Sequence, residues 1–354
     1  MARQTDCRGL PMKKVMTRGE FWALMDRLVE ERHVVGVVEK SPGHYVFDRL
    51  KSIEQVANDY LPTILPPKKY LLPQTDPLFR YNRETSAMEP VEAFEEIVVF
   101  GVRPCDITAL AIVTERMLDG EPDEAVRARR DAMTIIGWDC KHPCDEHSFC
   151  ESVGSLDPDY GYDVLVRDIG GRKLVIETGS PKGDHLVKDV GRLFDEADKA
   201  MLASYMAQRN ASFPKKLDIP ISDAPLLFTG TDENPFWDEL ADKCYSCGTC
   251  TTVCPTCYCF DVHEEIELDM KHGTRVRTWD SCQLDEFAEV ATGENFREER
   301  VERVRHRLQR KFNYQFTRTG QSHCVGCGRC ARACLVGIDP VDVVNTLAQT
   351  QTIG

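Results

Sequence analysis

The spacing of apolar residues in the first half of the chain alternates between helical and strand periods, which predicts a mixed α/β domain. Apolar residues recur at helical spacing from Phe21 to Val29, behind a capping-box pattern at Thr17 to Glu20. They predict a first helix that ends at about Arg32. Apolar runs at Val34 to Val38 and Tyr45 to Phe47 predict two strands that follow this helix.

A strand–helix–strand unit is the clearest feature of this half. Ile97 to Val102 has the composition of a buried strand, and an apolar-periodic segment runs behind it to Leu118, with Asp106 as the expected N-cap. A second buried-strand run, Met133 to Trp138, comes next. Because a helical crossover joins parallel strands, we expect these two strands to be parallel neighbours in one sheet.

The remainder of the first half carries weaker signals. Strands are predicted near Asp163 to Val166 and Leu174 to Ile176, and one helix from about Asp184 to Gln208. The Pro-rich passage from Leu61 to Pro77 predicts extended surface chain.

The chain divides into two predicted domains. Residues 1–213 form the α/β domain, residues 214–235, which are rich in Pro, Asp and Ser, form a linker, and residues 236–354 form a helical, ferredoxin-like domain. The fold class is therefore α+β. Because 69 residues separate Cys254 from Cys324, we expect helices in this insertion, not the short β-hairpins of a compact bacterial ferredoxin.

Composition narrows the class of protein. A chain of 354 residues with 42% hydrophobic and 29% charged residues is typical of a globular protein with two domains. The net charge of −14 disfavours nucleic acid and anionic membranes as partners of the whole chain. No run of about 18 apolar residues is present, and the first residues lack the apolar segment of a signal peptide. These features predict a cytoplasmic protein without a membrane span.

The sequence contains 16 cysteines, which in an acidic chain without a leader points to metal or redox chemistry and not to disulfides. Eight of them form two copies of the Cys-x2-Cys-x2-Cys-x3-Cys spacing. The copies are Cys244, Cys247, Cys250, Cys254 and Cys324, Cys327, Cys330, Cys334.

This spacing is typical of two [4Fe–4S] clusters in which the fourth cysteine of each motif binds the other cluster. Structural zinc is the alternative, but zinc sites usually use two separated cysteine pairs, so iron–sulfur is favoured. Two such clusters, lacking an open coordination site, transfer electrons. The predicted ligands are Cys244, Cys247, Cys250 and Cys334 for cluster one, and Cys324, Cys327, Cys330 and Cys254 for cluster two.

Four further cysteines occur in the first half. Cys105 and Cys140 each follow a predicted buried strand, so their sulfurs should converge at one edge of the sheet, where open α/β sheets bind ligands. Cys144 and Cys150 follow in the same loop. We expect the four thiols to bind a third [4Fe–4S] cluster. A zinc site that uses His142 or His147, and thiols without any ligand, are the alternatives.

Three cysteines lie between the two motifs, at positions 257, 259 and 282. We interpret them as small buried side chains that line the cluster pocket; an additional ligand set is the alternative. The nearby basic stretch, Arg300 to Lys311, could offset cluster charge or dock an acidic partner. A solvated helix face is an equal alternative, and nucleic-acid binding is disfavoured because few aromatic residues accompany it.

Several motifs occur together in one order along the chain. They are FGVRPCDITAL, the Gly-Trp-Asp-Cys loop, VCPTCYCFDV, TWDSC, NFREER and CVGCGRC. In these segments the sequence resembles the iron–sulfur beta subunits of soluble sulfhydrogenases and the corresponding iron–sulfur subunit of anaerobic sulfite reductase. The resemblance is dense from about Phe100 to Gly337.

The resemblance implies a cytoplasmic electron-transfer protein that relays electrons between a separate catalytic partner and a flavin-containing, NAD(P)H-linked subunit. That catalytic partner would be of the hydrogenase, sulfite reductase or heterodisulfide reductase type. No glycine-rich dinucleotide motif opens a helix in this chain, so we expect it not to oxidise NAD(P)H alone. Two other functions stay open. One is a stand-alone redox regulator that binds nucleic acid through the basic helix, and the other is an enzyme with a substrate at the first-half cysteines.

Overall fold

The computed structural model describes residues 12–57, 59–91 and 94–350. The strands are β1 (Lys13–Thr17), β2 (His33–Ser41), β3 (His44–Arg49), β4 (Thr75–Asn82), β5 (Met88–Pro90), β6 (Ile97–Val102), β7 (Met133–Trp138), β8 (Val164–Gly170), β9 (Lys173–Thr178), β10 (Arg192–Leu193), β11 (Phe260–Ile266) and β12 (His272–Trp279). The helices are α1 (Arg18–Glu31), α2 (Lys68–Leu71), α3 (Pro104–Met117), α4 (Glu124–Ala132), α5 (Pro181–Leu186), α6 (Glu196–Ala211), α7 (Ala224–Phe228), α8 (Phe236–Lys243), α9 (Thr249–Thr252), α10 (Arg300–Gln309), α11 (Gln315–Thr319), α12 (Arg329–Arg332) and α13 (Pro340–Thr350).

The first half is built on an eight-stranded sheet in the order β10-β1-β9-β8-β7-β6-β2-β3. Its four middle strands, β2, β6, β7 and β8, are parallel, as the crossover predicted for β6 and β7. Alternate side chains of β6 enter two different cores: Val98 and Phe100 pack on the side of α1, and Val99 and Val102 pack on the side of α3. The sheet is therefore covered on both faces, which explains why its central strands are continuously apolar.

The predicted capping box of the first helix is present. The Thr17 side chain accepts a hydrogen bond from the Glu20 amide, and the Glu20 carboxylate accepts one from the Thr17 amide at 2.7 Å. The third helix differs from its prediction, because it begins at Pro104 with Arg103 as its N-cap. Asp106 is instead buried inside the first turn, where its carboxylate pairs with Arg329.

Two predictions for the first half are wrong, one for the Pro-rich passage and one for a single long helix. The passage from Leu61 to Pro77 is not plain surface chain, because it contains α2 and because Leu71 and Leu72 are fully buried in a core. The single helix predicted from Asp184 to Gln208 is two helices, α5 and α6. Between them Gly191 adopts a left-handed φ of +72°, in a turn that lets β10 pair with β1.

The second half is not wholly helical. The insertion between the motifs contains the hairpin β11–β12, and β12 pairs with β4 of the first half to give a second sheet in the order β11-β12-β4-β5. The expected helices are present in this insertion as α10 and α11, but the expectation that it contains no β-hairpin is wrong. Its physical reason is that the strand partner of β12 lies about 200 residues earlier in the chain, where local periodicity gives no sign of it.

A third core holds the helices of the second half together. Phe228 of α7, Trp237 of α8, Leu308 of α10 and Phe312, three residues beyond α10, are all buried in it. Phe228 belongs to the segment predicted as a linker, so this segment packs into the core. The domain boundaries themselves stay a prediction. Across the described ranges, no helix is long and apolar enough to cross a membrane.

Candidate metal centres

The thiols of the first motif surround one cavity. Cys244 follows the end of α8, Gly248 adopts a left-handed φ of +74°, and the short helix α9 begins directly behind it. This turn places Cys247 and Cys250 on the same cavity as Cys244. The fourth cysteine on that cavity is Cys334, from the second motif.

The second motif repeats the arrangement. Gly328 has a left-handed φ of +72° and α12 begins behind it, so Cys324, Cys327 and Cys330 line a second cavity. Its fourth cysteine is Cys254, from the first motif. The structure thus brings together the two crossed sets of four that the spacing predicts, and the assignment of each thiol as a ligand stays a prediction.

Three cations are buried beside these thiols. Arg307, Lys311 and Lys68 are between 3% and 7% exposed, and in the part of the chain that the structure describes no carboxylate lies within ion-pairing distance of them. Lys68 Nζ donates to the carbonyls of Cys254 and Cys257 at 3.1 and 2.7 Å, and Lys311 Nζ donates to Thr256 Oγ1 at 2.7 Å. A buried cation without a counter-charge is costly, so these residues fit an anionic group in the cavities.

The cations and thiols shift one another's pKa values. Burial alone would lower the pKa of Arg307, but the thiolates of Cys250 and Cys330 outweigh it and raise that pKa. Burial raises the pKa of Cys250 to about 11, against the opposing charge of Arg307. A hydrogen bond from Cys257 and the charge of Lys311 hold the pKa of Cys254 well below its usual range. Metal-binding thiols must be deprotonated, so the cations favour that state.

The four cysteines of the first half also come together. Cys105 lies in the first turn of α3 and Cys140 lies two residues beyond β7, at the sheet edge where they were expected. The Cys105 and Cys150 thiols hydrogen bond to each other, as do those of Cys140 and Cys144. Cys105, Cys140 and Cys150 are buried, and Cys144 is partly exposed.

The two histidines near this third set have carboxylate neighbours of their own. The His147 ring lies 3.2 Å from an Asp339 carboxylate oxygen, and the His142 ring lies 3.6 Å from one of Asp59. The ligand role of the four thiols nevertheless stays a prediction.

Two arginines supply positive charge to the third set. Arg103 is 6% exposed, lies 4.2 Å over the Tyr60 ring and donates to the Asp139 carbonyl at 3.2 Å. A hydrogen bond from Cys140 and the charges of Arg103 and Arg329 lower the pKa of Cys144 to about 7. Arg103, Cys140 and Cys144 also line a cleft that opens to solvent.

The third set and the second motif pack directly against each other. Arg329, inside the second motif, forms a two-bond ion pair with Asp106, with both distances 2.7 Å. The Gly326 carbonyl accepts hydrogen bonds from the Phe149 amide at 2.8 Å and the Cys150 thiol at 3.2 Å. The second set of thiols therefore neighbours both the first and the third.

The three remaining described cysteines do not behave as expected. Neither Cys257, Cys259 nor Cys282 lines either of the two cavities. The Cys257 thiol hydrogen bonds with Cys254, and the Cys259 and Cys282 thiols hydrogen bond with each other. These residues therefore do not line the two cavities as interpreted, although Cys282 is buried as expected. Cys7 lies outside the described residues.

Sequence reasoning missed several residues of these sites. Arg103 and Arg329 stand inside the RPCD and CGRC motifs, so a basic residue next to a ligand cysteine was the available signal. Lys68 lies far in sequence from every motif, so nothing in the sequence indicated that it belongs to a site. In the basic stretch, Arg307 and Lys311 are buried beside thiols, whereas Arg305 contacts Asp232 on the outer side.

Comparison with known proteins identifies relatives of the chain. The family of 4Fe-4S dicluster domains matches residues 243–338. The chain is 33% identical over 344 residues, which is 96% of its length and 99% of the relative's, to the sulfhydrogenase 2 subunit beta of Pyrococcus furiosus. No solved structure matches the chain significantly. These matches confirm the expectation of [4Fe–4S] clusters.

Proposed function

The chain belongs to the family of sulfhydrogenase beta subunits, and from this premise we propose that it relays electrons between a separate catalytic partner and a flavin-containing, NAD(P)H-linked subunit. Its role as an iron–sulfur electron-transfer subunit follows from the family and from the dicluster domain. The identities of the two partners are the proposal. The catalytic partner would be of the hydrogenase, sulfite reductase or heterodisulfide reductase type.

The observation that carries the proposal is the burial of Arg307, Lys311 and Lys68 against thiols and not against carboxylates. Bound [4Fe–4S] clusters supply reversible one-electron transfer. The protein's own contribution is to hold thiolates at fixed positions, to exclude water and to offset negative charge.

We propose three ligand sets for these clusters. The crossed lining of the two cavities supports the first two sets, and the mutual hydrogen bonds and flanking arginines support the third. The sets are Cys244, Cys247, Cys250 and Cys334; Cys254, Cys324, Cys327 and Cys330; and Cys105, Cys140, Cys144 and Cys150.

The chain has no nicotinamide site of its own in this proposal. The turn between β6 and α3 is where a doubly wound sheet would carry a glycine-rich phosphate loop. Here it reads Arg103-Pro104-Cys105, and the Cys105 and Asp106 side chains are buried in it. The isolated chain should accept electrons from dithionite, and from NAD(P)H only after a flavoprotein partner is added.

Iron counting on the anaerobically isolated full chain tests the ligand sets. We expect about twelve irons per chain for three clusters and about eight if the third set holds none. A Cys105→Ser, Cys140→Ser double variant should lose about four irons and leave the other two clusters intact. Stoichiometric zinc without iron would refute the whole assignment.

The crossed assignment has its own test. Cys334→Ser should damage the cluster that Cys244, Cys247 and Cys250 hold, detected as the loss of one component from interacting cluster signals in electron paramagnetic resonance. Damage confined to the cluster of the second motif would contradict the crossing.

Purification from the native host tests the partners. A flavoprotein and a catalytic oxidoreductase subunit should co-purify with the chain and be identified by mass spectrometry. A lone chain that binds DNA or RNA in a salt-dependent manner would instead support the regulator. Burial of Arg307 and Lys311 already removes two cations of the basic stretch from contact with any nucleic acid.

A further inference from the structure

Two thiols outside the three proposed ligand sets lie side by side at the base of the β11–β12 hairpin. Cys259 directly precedes β11, and Cys282 follows β12 by three residues. Phe260 and Trp279 form the last register pair, and the Asp280 amide donates to the Cys259 carbonyl at 3.0 Å. The hairpin thus ties the two cysteines to each other through its own strand pairing.

The strand pairing brings the two side chains close together. Their thiols share a hydrogen bond, and the Cys282 amide also donates to the Cys259 sulfur. The side-chain amide of Gln283 lies 4.0 Å from the Cys282 sulfur and is held by the Arg303 carbonyl at 2.8 Å. Cys282 is 3% exposed, whereas Cys259 is partly exposed.

The surroundings place this pair next to the proposed clusters. Arg307 acts on the charge of Cys282 and also on those of Cys250 and Cys330, which belong to the two crossed sets. Lys311 likewise acts on Cys259 and on Cys254. The same two buried cations therefore lie near the thiol pair, and Arg307 lines both cavities while Lys311 lines the second.

We propose that Cys259 and Cys282 form a dithiol–disulfide couple that exchanges electrons with the neighbouring [4Fe–4S] clusters. On oxidation the Cys259 thiolate sulfur bonds to the Cys282 sulfur, the Cys282 S–H bond breaks and one S–S bond forms. One proton leaves to solvent, and two electrons pass singly to two clusters. Reduction is the reverse. The couple would connect one-electron carriers to a two-electron store within the same chain, and it rests on the clusters of the proposed function as its redox partners.

A disulfide fits the available thiols better than a further cluster. Only Cys257, Cys259 and Cys282 remain outside the three sets among the described residues, and a cubane cluster bound by cysteine alone needs four. Cys257 is also engaged with Cys254, of the second ligand set. A disulfide requires only the two neighbouring thiols at the base of the hairpin.

The electrostatics of the pair suit thiol–disulfide exchange. The hydrogen bond from Cys282 and the charge of Arg310 lower the pKa of Cys259 to about 6, while the same hydrogen bond raises the pKa of Cys282. Cys259 is thus the thiolate and Cys282 the thiol. The thiolate is the species that attacks in disulfide formation and exchange, and Cys259 is the more exposed of the two.

The test uses the anaerobically purified holoprotein, equilibrated at a series of potentials and then treated with an alkylating reagent. Peptide mapping should find a Cys259–Cys282 linked peptide at oxidising potentials and two alkylated cysteines at reducing ones. Their ratio should change tenfold for about every 30 mV, as a two-electron couple requires. Dithionite should reduce the linkage faster in holoprotein than in protein from which a chelator has removed the iron.

Matched variants separate the couple from a metal site. Cys282→Ser should abolish the linked peptide, leave Cys259 alkylated at every potential and keep the iron content of the wild type. Cys257→Ser, the control from the same group of thiols, should keep the linked peptide. Loss of about four irons in Cys259→Ser or Cys282→Ser would show cluster ligation and overturn the proposal.

These measurements distinguish failure of the Cys259–Cys282 disulfide couple from failure of the proposed electron relay. Full alkylation of both cysteines at all potentials, with iron intact, would overturn the couple and leave the relay standing. A chain without iron would refute the relay itself.

Discussion

Arg307 illustrates at the scale of one residue how this protein handles buried charge. It lies on α10 between Cys250 and Cys330, 7% exposed, and donates to the Cys250 carbonyl at 3.4 Å. Because a fixed positive charge stabilises the reduced, more negative form of a nearby cluster, Arg307 should raise the reduction potential there.

Replacement of this arginine should therefore shift the reduction potential of the neighbouring cluster. Arg307→Gln should make the midpoint of the neighbouring cluster more negative, by ~59 mV for every 1.4 kcal/mol of lost stabilisation in a one-electron couple. Redox titration followed by electron paramagnetic resonance measures the shift. Arg305→Gln, on the same helix but beside Asp232, is the control and should leave the midpoint in place. An unchanged midpoint in Arg307→Gln with full iron would contradict this role.

His306 makes stability depend on pH. Burial, followed by the charges of Arg297 and Arg310, lowers the pKa of His306 to about 4, from 6.5 in an unfolded chain. Between these pH values the unfolded chain binds a proton that the folded chain does not, so stability falls as the pH falls.

His306→Gln should remove part of this dependence. After allowance for solvent screening, the variant should regain ~1 kcal/mol relative to the wild type at pH 5 and nothing at pH 7.5. Urea unfolding at both pH values, under anaerobic conditions, measures the difference. His44 is exposed, so His44→Gln is the control. An equal gain in stability at pH 5 from His44→Gln would show that the burial of His306 is not the cause.

The motif cysteines could be predicted at this scale because their spacing alone encodes a local loop around a cluster. The burial of Arg307 could not, since the same basic sequence also fits an exposed helix face. Only the packing of α10 against α8 and the thiols decides which of its cations face inward.

At the scale of elements, an ionic network joins the inserted hairpin to the first half. Asp76 on β4 is 1% exposed and pairs with Arg129 of α4 and with Arg277 of β12, the latter at 2.6 Å. Arg277 also contacts Asp123, the N-cap of α4. Three elements distant in sequence therefore share one buried carboxylate.

Loss of that carboxylate should destabilise the chain strongly. Asp76→Asn leaves Arg277 buried with weakened compensation, and we expect a loss of about 3–5 kcal/mol in the free energy of unfolding. Glu264→Gln removes an exposed partner of Arg275 in the same hairpin and should cost less than about 1 kcal/mol. Chemical denaturation compares the two variants, and equal losses would be evidence against the network.

Close packing fixes the second motif to the loop of the third set. Gly326 has a left-handed φ of +63°, and a Cβ added there would lie 2.6 Å from the Cys150 amide nitrogen. Gly337 has a similar φ of +70° but open space around it. The two glycines differ in crowding and not in backbone conformation.

This difference predicts unequal effects of one substitution. Gly337→Ala should cost only the conformational strain, about 1–3 kcal/mol. Gly326→Ala should cost more than that and should also reduce the iron content, since the chain around Cys150 and Cys327 must shift. Thermal unfolding and iron analysis measure both effects, and equal behaviour of the two variants would rule out the steric argument.

Elements with local signals could be predicted, and elements with distant partners could not. The capping box at Thr17 and the crossover from β6 to β7 are encoded within short segments, and both are present. Strand β11 is almost entirely exposed, and the buried positions of β12 include Gly273 and Arg277, so the hairpin lacks the apolar alternation that marks a half-buried strand. Its stability comes from pairing with β4, which is invisible to a local pattern.

At the scale of the whole molecule, the two halves form one arrangement of thiols. The second set lies between the other two, because Cys330 neighbours Cys250 on one side and Cys327 neighbours Cys105 on the other. Electron transfer between centres falls steeply with distance, so a fixed order of sets favours one route along the chain. The order follows from tertiary packing and could not be read from the cysteine spacing.

The ion pair between Asp106 and Arg329 has a consequence for how this protein can evolve. Each residue belongs to a different signature, and the two are separated by more than two hundred positions, yet each neutralises the other in a dry interface. A chimera can take its first half from one relative and its second half from another. It will keep this ion pair only if both parents carry this acid and this base. Exchange of one signature for a version without its charged residue would leave the other charge buried and unpaired.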